Sequence, residues 1–335
     1  MTEGDGVGDE GRLDLPFVGI PSFLRAPVVT DVELIDADVV VIGAPFDEGS
    51  PFAPGSRFGP RAIREHSVRF VTGEPGYYDP QSGRHFLVRE MRDRRIVDAG
   101  DADVLPTNPA GTFRNITDMV GAALGRGAMP LVFGGDHSIT FPVVRAFTEP
   151  LHVMHFDAHL DYMPFVHGLE MTNQHAFRHI AHMDHVESLT QVGIRSLRNT
   201  ETMHRDSLAD GNAVVSMEAF RSEGPAALAN RIPDGSACYV SLDIDALDLP
   251  LVPGCVSAEP NGMRYDELMD ALRALAERTL IVGFDVVEVN PQLDVGTGVT
   301  SYLAAHLAIE FLGTVCAGSR WREAHGATSA KDGDA

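Results

Sequence analysis

Acidic and histidine side chains follow an apolar run near the middle of the chain. The segment LHVMHFDAHLD, residues 151–161, contains Asp157, His159 and Asp161 at its end. In extended backbone alternate side chains point to the same side, so these three possible metal ligands would converge. A single aspartate at a strand end is often only a helix cap or a turn former. The pattern therefore gains meaning only if it recurs.

Two more apolar runs end in the same way. ACYVSLDIDALD, residues 237–248, carries Asp243 and Asp245, and MPLVFGGDHS, residues 129–138, leads through two glycines and an aspartate to His137. Carboxylates at the end of buried strands are costly to desolvate unless something positive neutralises them. Recurrence at three strand ends favours a shared cation site over three independent turns.

The six side chains form a donor set that suits two metal ions. Two imidazoles and four carboxylates fit a pair of divalent ions with bridging carboxylates better than one ion. Oxygen-rich coordination with some imidazole favours manganese, although zinc, cobalt and nickel compete on affinity. Two ions roughly 3.5–4 Å apart lower the pKa of a shared water toward neutrality, which predicts a hydrolase. The predicted metal ligands are His137, Asp157, His159, Asp161, Asp243 and Asp245.

A carboxylate beyond another apolar run has two interpretations. Glu288 lies in GFDVVEVNP, where it could hold a planar guanidinium through two hydrogen bonds. Asp285, in the same run, could equally face the site or hold a ligand from behind. Other histidines lie in polar or helical stretches, which favours surface or packing roles. They are His167, His179, His182 and His185.

Charge and cysteine content limit the partners. The chain has 335 residues with 26 Lys and Arg against 48 Asp and Glu, a net charge of −22. This imbalance argues against nucleic acid or an anionic membrane and suits a cationic small molecule, although surface acid also keeps a protein soluble. The three cysteines form no C-x-x-C pair, so they indicate neither a disulfide framework nor a thiolate zinc site. Without a leader-like N-terminus or an apolar stretch approaching bilayer length, we expect a cytoplasmic protein.

Short apolar runs alternate with helical patterns along the chain. This alternation favours a three-layer α/β/α fold with a doubly wound, mostly parallel sheet. We expect a single domain over residues 1–335, with flexible tails at 1–13 and 319–335. Such sheets carry their chemistry beyond the carboxyl ends of the strands, where the residues above fall. The predicted strands are 38–43, 129–133, 151–156, 188–194, 237–242 and 280–284, and the predicted helices are 61–70, 112–125, 218–231, 264–278 and 299–312.

Four motifs occur in the order found in the ureohydrolase family, which includes arginase and agmatinase. They are GGDHS, FDAHLD, SLDIDALD and VEVNP, and the chain resembles this family over nearly its whole length. GAPFDEGSPFAPGSRFGPRAIR, residues 43–64, is similar to the agmatinase branch. The resemblance implies an arginase-like fold, two Mn²⁺ ions per subunit and assembly into homo-trimers or hexamers.

The resemblance also implies a role for each residue. A hydroxide bridging the two ions would attack the guanidinium carbon of the substrate. Asp161 would orient that hydroxide and pass its proton to the leaving amine, and Glu288 would fix the guanidinium. One ion would be held by His137, Asp157, Asp161 and Asp243, and the other by Asp157, His159, Asp243 and Asp245.

Two loops depart from the family's pattern. A proton-shuttling histidine normally precedes a glycine after the metal motif, whereas this chain has NQHAFR with Ala176. We assign the shuttle to His175, and His167, which does precede a glycine, is the alternative. After SLDIDALD the chain reads PLVPGCVSAEPNGM in place of a Gly- and Thr-rich loop that borders the substrate tail in the family. The acidic chain favours agmatine as substrate, and the altered loop argues against it.

The expected reaction is hydrolysis of a linear guanidino compound to urea and an amine. The substrate would be agmatine or a guanidino acid such as guanidinobutyrate or guanidinopropionate. One alternative is a formiminoglutamate hydrolase, which would use the same metals and release formamide. The other is a catalytically silent homologue that serves as a binding or assembly module, whose expected mark is a lost ligand; all six are present.

Overall fold

The computed structural model describes residues 15–325, so the predicted tail at 1–13 lies outside the described residues, as do residues 326–335. The strands are β1 Val39–Ala44, β2 Tyr77–Asp79, β3 Arg84–Phe86, β4 Ile96–Asp101, β5 Met129–Gly134, β6 Leu151–Phe156, β7 Val186–Ile194, β8 Ala213–Ser216, β9 Ala237–Asp243 and β10 Leu280–Val287. The α-helices are α1 Gly59–Ser67, α2 Val88–Arg92, α3 Pro109–Gly125, α4 Thr140–Val144, α5 Ala176–Ala181, α6 Glu201–Ala209, α7 Met217–Glu223, α8 Pro225–Ala229, α9 Tyr265–Arg278, α10 Val299–Ala317 and α11 Ser319–Ala324. Short 3₁₀ helices span Phe23–Arg25, Val32–Leu34, Ser56–Phe58, Val68–Phe70, His137–Ile139, Asn173–His175, Ile244–Ala246 and Leu249–Leu251.

Eight strands form one parallel sheet in the order β4-β1-β5-β10-β9-β6-β7-β8. The chain builds β1, β4 and β5 on one side and β6, β7 and β8 on the other. The last two strands, β9 and β10, then fill the space between β5 and β6. The winding direction therefore changes at the centre of the sheet, which is where such folds open a crevice beyond the strand ends.

Both faces of the sheet are covered. Successive residues of β1 alternate between two apolar clusters, with Val39 and Val41 in one and Val40 and Ile42 in the other. The first cluster includes side chains of α9 and α10, and the second includes side chains of α3 and α5. Strands buried on both faces need near-continuous apolar sequence, which is why these runs could be found. The predicted three-layer, mostly parallel arrangement is confirmed.

Local sequence sets the boundaries of the helices. The side chain of Asn108 accepts a hydrogen bond of 3.0 Å from Gly111 N, and Pro109 occupies the first position of α3. Both features stabilise a helix start. Thr200 caps α6 in the same way, by accepting from Met203 N at 3.1 Å.

The six predicted strands correspond to β1, β5, β6, β7, β9 and β10, and four further strands were not predicted. Two of these, β4 and β8, lie at the edges of the large sheet. The other two, β2 and β3, form a separate antiparallel hairpin. Three of them, β2, β3 and β8, have only three or four residues, and β4 contains Asp98 and Asp101, so none has the continuous apolar run of the central strands.

The structure corrects the helix predicted over 218–231. It is broken at Gly224, where φ is 80°, and Pro225 starts a second helix. Positive φ favours glycine, and proline favours the first turn of a helix, so both residues mark a boundary.

The C-terminal region differs from the sequence prediction in two ways. The tail predicted from residue 319 is wrong at its start, because α11 occupies Ser319–Ala324 and buries Trp321. The helix α10 is also long and apolar enough to cross a membrane, contrary to the expectation that no stretch approaches that length. Since 67% of its most apolar stretch is buried inside the protein, packing against the sheet accounts for the apolar composition of the helix.

Candidate metal centre

Four neighbouring strands at the centre of the sheet bring the predicted ligands together. His137 follows β5, Asp157 to Asp161 follow β6, and Asp243 ends β9. These strands stand in the order β5-β10-β9-β6, and Glu288 follows β10. We call the six predicted ligands the ligand cluster. All but His159 are buried, and the His159 side chain is only 13% exposed.

One half of the ligand cluster is arranged around His137. Its Nδ1 lies 3.0 Å from Asp157 Oδ2, 3.1 Å from Asp243 Oδ2 and 3.4 Å from Asp161 Oδ2. One imidazole nitrogen thus faces three carboxylates. Such an arrangement requires a positive charge, either a proton on the ring or a metal ion.

The other half is arranged around His159. Its Nδ1 lies 3.1 Å from Asp157 Oδ1 and 3.2 Å from Asp245 Oδ2. Asp157 is therefore shared, with one oxygen directed to each histidine. The backbone N–H of Asp245 donates to Asp243 Oδ1 at 2.8 Å, which ties the two aspartates of β9 together.

Burial and mutual repulsion shift the pKa values of these groups. Burial raises the pKa of Asp161, Asp243 and Asp245, and repulsion from neighbouring carboxylates adds to the shift. For His159, burial lowers the pKa, but Asp245 and Asp157 outweigh it and raise the pKa to about 12. Asp157 is the exception, because hydrogen bonds from three histidines overcome its burial and lower its pKa. Shifts of this kind arise when acidic groups are crowded together in a buried site, and a bound cation would relieve that repulsion.

A hydrogen-bond chain behind His137 presents its Nδ1 to the ligand cluster. Ser241 Oγ donates to Asp285 Oδ1 at 2.8 Å, so its oxygen accepts from His137 Nε2, 2.9 Å away. Thr140 and Tyr239 also donate their hydroxyls to Asp285, at 2.8 and 2.7 Å. With its proton on Nε2, a neutral His137 offers an Nδ1 lone pair to an ion. Two roles were considered for Asp285, and these contacts support the second: Asp285 orients the metal ligand His137 through Ser241.

The donor set fits a pair of divalent ions. Ligand atoms of Asp157, His159 and Asp245 lie within 4.8 Å of one another, and so do those of His137, His155 and Asp157. Asp245 Oδ2 is buried, and its 3.2 Å contact with His159 Nδ1 does not have the geometry of a hydrogen bond. A buried carboxylate oxygen without a donor is costly, and an ion between Asp245 and His159 would satisfy it.

His155, which sequence reasoning missed, positions Asp157. Its ring is buried and stacks on Phe177 with the centroids 3.5 Å apart. Gln191 Nε2 donates to His155 Nδ1 at 3.1 Å, which leaves the proton on Nε2 to be donated to Asp157 Oδ2 at 2.8 Å. Burial lowers the pKa of His155 to about 4, so the ring is neutral. His155 lies in β6, two residues before Asp157 at the end of that strand, so alternation of side chains could have indicated it.

Glu288 lines an open cleft that also borders His159, Asp161 and Asp243. Its Oε1 accepts from the backbone N–H of His137 at 3.0 Å, while the buried Oε2 accepts no hydrogen bond from the described residues. Asp161 and Glu288 both have positive φ, 45° and 64°. Such strain in non-glycine residues costs roughly 1–3 kcal/mol each and concentrates at functional sites.

The structure does not place either candidate shuttle histidine in this cleft. The side chains that line it include Asn173 and Gln174 but not His175. His175 is buried, its Nδ1 lies 2.7 Å from Thr172 Oγ1, and its ring stacks on Phe165. Burial lowers the pKa of His175. His167 is exposed in a turn at φ 57° and is likewise absent from the lining.

Two other side chains at the site had no predicted role. Cys255 Sγ lies near Asp243 and Asp245, but burial and these carboxylates raise the pKa of the thiol, which disfavours a thiolate ligand. Arg198 follows β7 and lines the cleft beside His159, with its Nη2 2.8 Å from His159 Nε2. A loop arginine gives no spacing pattern, so the sequence offered nothing that pointed to it.

Fold and site together define an α/β protein with an imidazole- and carboxylate-rich metal centre at the middle of a parallel sheet. The family model described as the arginase family matches residues 37–313. Guanidino acid hydrolase, mitochondrial, of Homo sapiens is 32% identical over 303 residues, which cover 88% of this chain and 82% of that protein. Guanidinopropionase of Pseudomonas aeruginosa is 34% identical over 312 residues, covering 88% and 92%. The solved structure of proclavaminate amidino hydrolase from Streptomyces clavuligerus matches with a TM-score of 0.77 and 32% identity, covering 90% and 98%.

The chain therefore belongs to the arginase family, and it is a hydrolase of amidino C–N bonds. The resemblance read from the four sequence motifs is confirmed.

Proposed function

We propose that this protein hydrolyses a linear guanidino compound to urea and an amine, with two Mn²⁺ ions as its cofactor. Family membership supports cleavage of an amidino C–N bond. The names of the relatives, guanidino acid hydrolase and guanidinopropionase, support a guanidino substrate. The oxygen-rich donor set supports manganese over softer metals.

One observation carries the proposal. Two imidazole nitrogens share Asp157, at 3.0 Å from His137 Nδ1 and 3.1 Å from His159 Nδ1, beside the same cleft that Glu288 lines. The site thus combines room for two cations with a carboxylate oxygen that lacks a donor among the described residues. That combination suits the activation of water next to a bound organic cation.

The ligand cluster would hold both ions. When bound, two such ions supply hydroxide at neutral pH by lowering the pKa of water. One set of ligands would be His137, Asp157, Asp161 and Asp243, and the other would be Asp157, His159, Asp243 and Asp245.

Glu288 would hold the substrate guanidinium. Its Oε1 is fixed by the His137 N–H, so the carboxylate has a defined orientation, and Oε2 is left for a guanidinium N–H. A charge-assisted contact of this kind is about twice as strong as a neutral hydrogen bond. It also keeps the guanidinium carbon in place while the oxygen of water adds to it.

Asp161 would move the proton. Its Oδ2 lies 3.4 Å from His137 Nδ1 and its side chain borders the cleft, so Asp161 can carry a proton from the attacking water to the chain nitrogen of the substrate. After water oxygen adds to the guanidinium carbon, the bond to the chain nitrogen breaks, and this nitrogen takes the proton and leaves as an amine. The remaining carbon, with its oxygen and two nitrogens, is urea. Since His175 does not line the cleft, we give it no part in this transfer.

The test is a screen of guanidino compounds with purified protein after manganese loading, with urea, formamide and metal content all measured. We expect urea release and two ions per chain. Formamide from formiminoglutamate without urea from any guanidino compound would contradict the proposal. Two bound ions with no turnover of any compound would instead indicate a catalytically silent homologue.

A further inference from the structure

The buried part and the solvent-exposed part of the cleft carry different charges. His159, Asp161, Asp243 and Glu288 belong to the buried site, whereas the Arg198 side chain is 56% exposed and lies toward solvent. Arg198 is the only arginine or lysine among the described residues that line the cleft. A ligand that is cationic at one end and anionic at the other would match this arrangement.

One edge of the Arg198 guanidinium, formed by Nε and Nη2, is held by neighbouring oxygen atoms. Its Nε lies 3.1 Å from Glu259 Oε1 and its Nη2 lies 3.0 Å from the same oxygen. Nη2 also donates to the Ser257 carbonyl at 2.7 Å. Ser196 Oγ donates to Glu259 at 2.7 Å and fixes the carboxylate. The loop 250–263 that departs from the family's pattern is therefore the loop that orients this arginine.

The opposite edge of the guanidinium has weaker partners. Among the described residues, Nη1 makes one contact, at 3.4 Å to Ser257 Oγ. Arginine carries five N–H donors in a planar fork, and two parallel donors match one carboxylate. The Nη1 edge of Arg198 is thus able to take a second carboxylate.

Arg198 also lies directly beside the ligand cluster. Its Nη2 is 2.8 Å from His159 Nε2, and both side chains line the cleft. A ligand that occupies the cleft next to the ligand cluster can therefore reach the guanidinium of Arg198.

We propose that Arg198 binds the carboxylate of the substrate, so that the enzyme selects short linear guanidino acids over guanidino amines such as agmatine. This inference rests on the proposed function, since it names the tail of the same substrate. A terminal ammonium beside Arg198 would face a like charge, whereas a terminal carboxylate would form a charge-assisted pair.

Two compounds of matched length test the selectivity. 4-Guanidinobutyrate and agmatine differ only in a terminal carboxylate against a terminal aminomethyl group. With manganese-loaded protein, we expect kcat/KM for the acid to exceed that for agmatine by about 10-fold or more, the range of one charge-assisted hydrogen bond. A preference for agmatine would overturn the inference.

The variant Arg198→Gln tests the residue. We expect the ratio of kcat/KM for the acid to that for agmatine to fall by about 10- to 100-fold, and Arg198→Lys to keep part of it. The matched control is Arg205→Gln on α6, whose side chain is 65% exposed and which does not line the cleft; its ratio should stay as in the wild type. Equal losses on both substrates in Arg198→Gln would mean that the arginine only supports the loop, and would overturn the inference.

Two readouts do not depend on turnover. Metal content of each variant shows whether the contact with His159 affects ion binding. Calorimetry with amidine analogues, in which a methylene replaces the chain nitrogen, measures binding of compounds that lack the bond to be cleaved. We expect the acid analogue to bind more tightly than the amine analogue, and Arg198→Gln to remove the difference. If no guanidino compound yields urea, the proposed function fails, and calorimetry still decides the role of Arg198: equal binding of both analogues by the wild type would overturn it.

Discussion

The two oxygens of Asp157 face different histidines, 3.0 Å from His137 Nδ1 and 3.1 Å from His159 Nδ1. Replacing Asp157 with asparagine keeps the shape but removes the charge and turns one oxygen into an N–H donor. We predict that Asp157→Asn loses metal from both positions, because each ion loses an anionic ligand. His137→Ala should lose mainly one ion. Elemental analysis of the purified variants makes the comparison, and full occupancy in Asp157→Asn would contradict a shared ligand.

Glu288 differs from the residues of the ligand cluster because its predicted role is to bind the substrate guanidinium. An amide at this position can still accept from the His137 N–H, but it no longer offers a charged oxygen to a guanidinium. We predict that Glu288→Gln folds normally, keeps its metals and loses about 10²-fold in turnover, since slight misplacement at a reacting centre costs this much. Steady-state urea release and metal analysis on the same preparation test this. Loss of metal would move Glu288 into the coordination shell.

The position of His175 argues against the proton-shuttle role expected from its sequence context. Its buried imidazole contacts Thr172 and is not among the side chains that line the cleft, which argues against proton transfer to a substrate nitrogen. We predict that His175→Ala lowers thermal stability and leaves turnover near normal, far from the roughly 10²–10⁴-fold loss typical of a missing general acid or base. Urea release at saturating manganese is the measurement. A large loss of turnover with intact metal content would restore His175 as the shuttle.

At the scale of elements, the turn after β5 depends on close backbone contacts. The N–H of Gly135 donates to Ala44 O at 2.9 Å, and its carbonyl accepts from Glu288 N at 2.9 Å. A Cβ on Gly135 would lie 1.8 Å from Phe46 O, so the turn that delivers His137 would have to shift. We predict that Gly135→Ala destabilises the protein by about 3 kcal/mol, as overpacking does.

Gly121 is the matched control for this change. It lies inside α3, and an added Cβ would meet no heavy atom within 4 Å. Gly121→Ala should stabilise the protein by about 0.5–1 kcal/mol through helix propensity. Chemical denaturation of both variants tests the pair, and similar effects in both would show that backbone contact at Gly135 is unimportant.

The central elements could be predicted from the sequence because burial on both faces forces continuous apolar runs. Edge strands carry a weaker pattern. In β4 the buried Asp98 interrupts the run, and its charge is satisfied by Arg64, with Nε and Nη2 2.8 and 2.9 Å away. The partner lies on α1, far away in the sequence. A local pattern cannot show that a distant arginine makes a charged residue acceptable in a strand.

At the scale of the whole molecule, the ligand cluster was predictable and its supporting residues were not. Each cluster residue ends or closely follows an apolar strand, and parallel strands place those ends at one edge of the sheet. His155, Gln191 and Arg198 have roles only through contacts between segments that the fold brings together. The sequence therefore predicted the class of chemistry, while the position of the arginine beside the cleft required the structure.

The concentration of buried charge should make stability depend on metal and on pH together. In the metal-free protein, histidines 137 and 159 and aspartates 161, 243 and 245 have raised pKa values, so the folded state holds protons that the unfolded chain would release. Asp157 has a lowered pKa, so its effect on the pH dependence of stability is opposite, but it is one group against five. The stability that raised groups contribute is present below their unfolded pKa values and is lost as pH rises through the folded ones.

Metal ions reverse this loss, because binding replaces those protons with cations. We therefore predict that saturating Mn²⁺ raises the melting temperature more at pH 8.5 than at pH 6, and that chelation destabilises the protein most at the higher pH. Differential scanning calorimetry with and without a chelator at both pH values is the measurement. The control is Asp245→Asn, which removes an anionic ligand facing His159 and should reduce the gain from manganese at both pH values. A manganese-dependent gain that is equal at the two pH values, or larger at pH 6, would show that these protons do not compete with the ions.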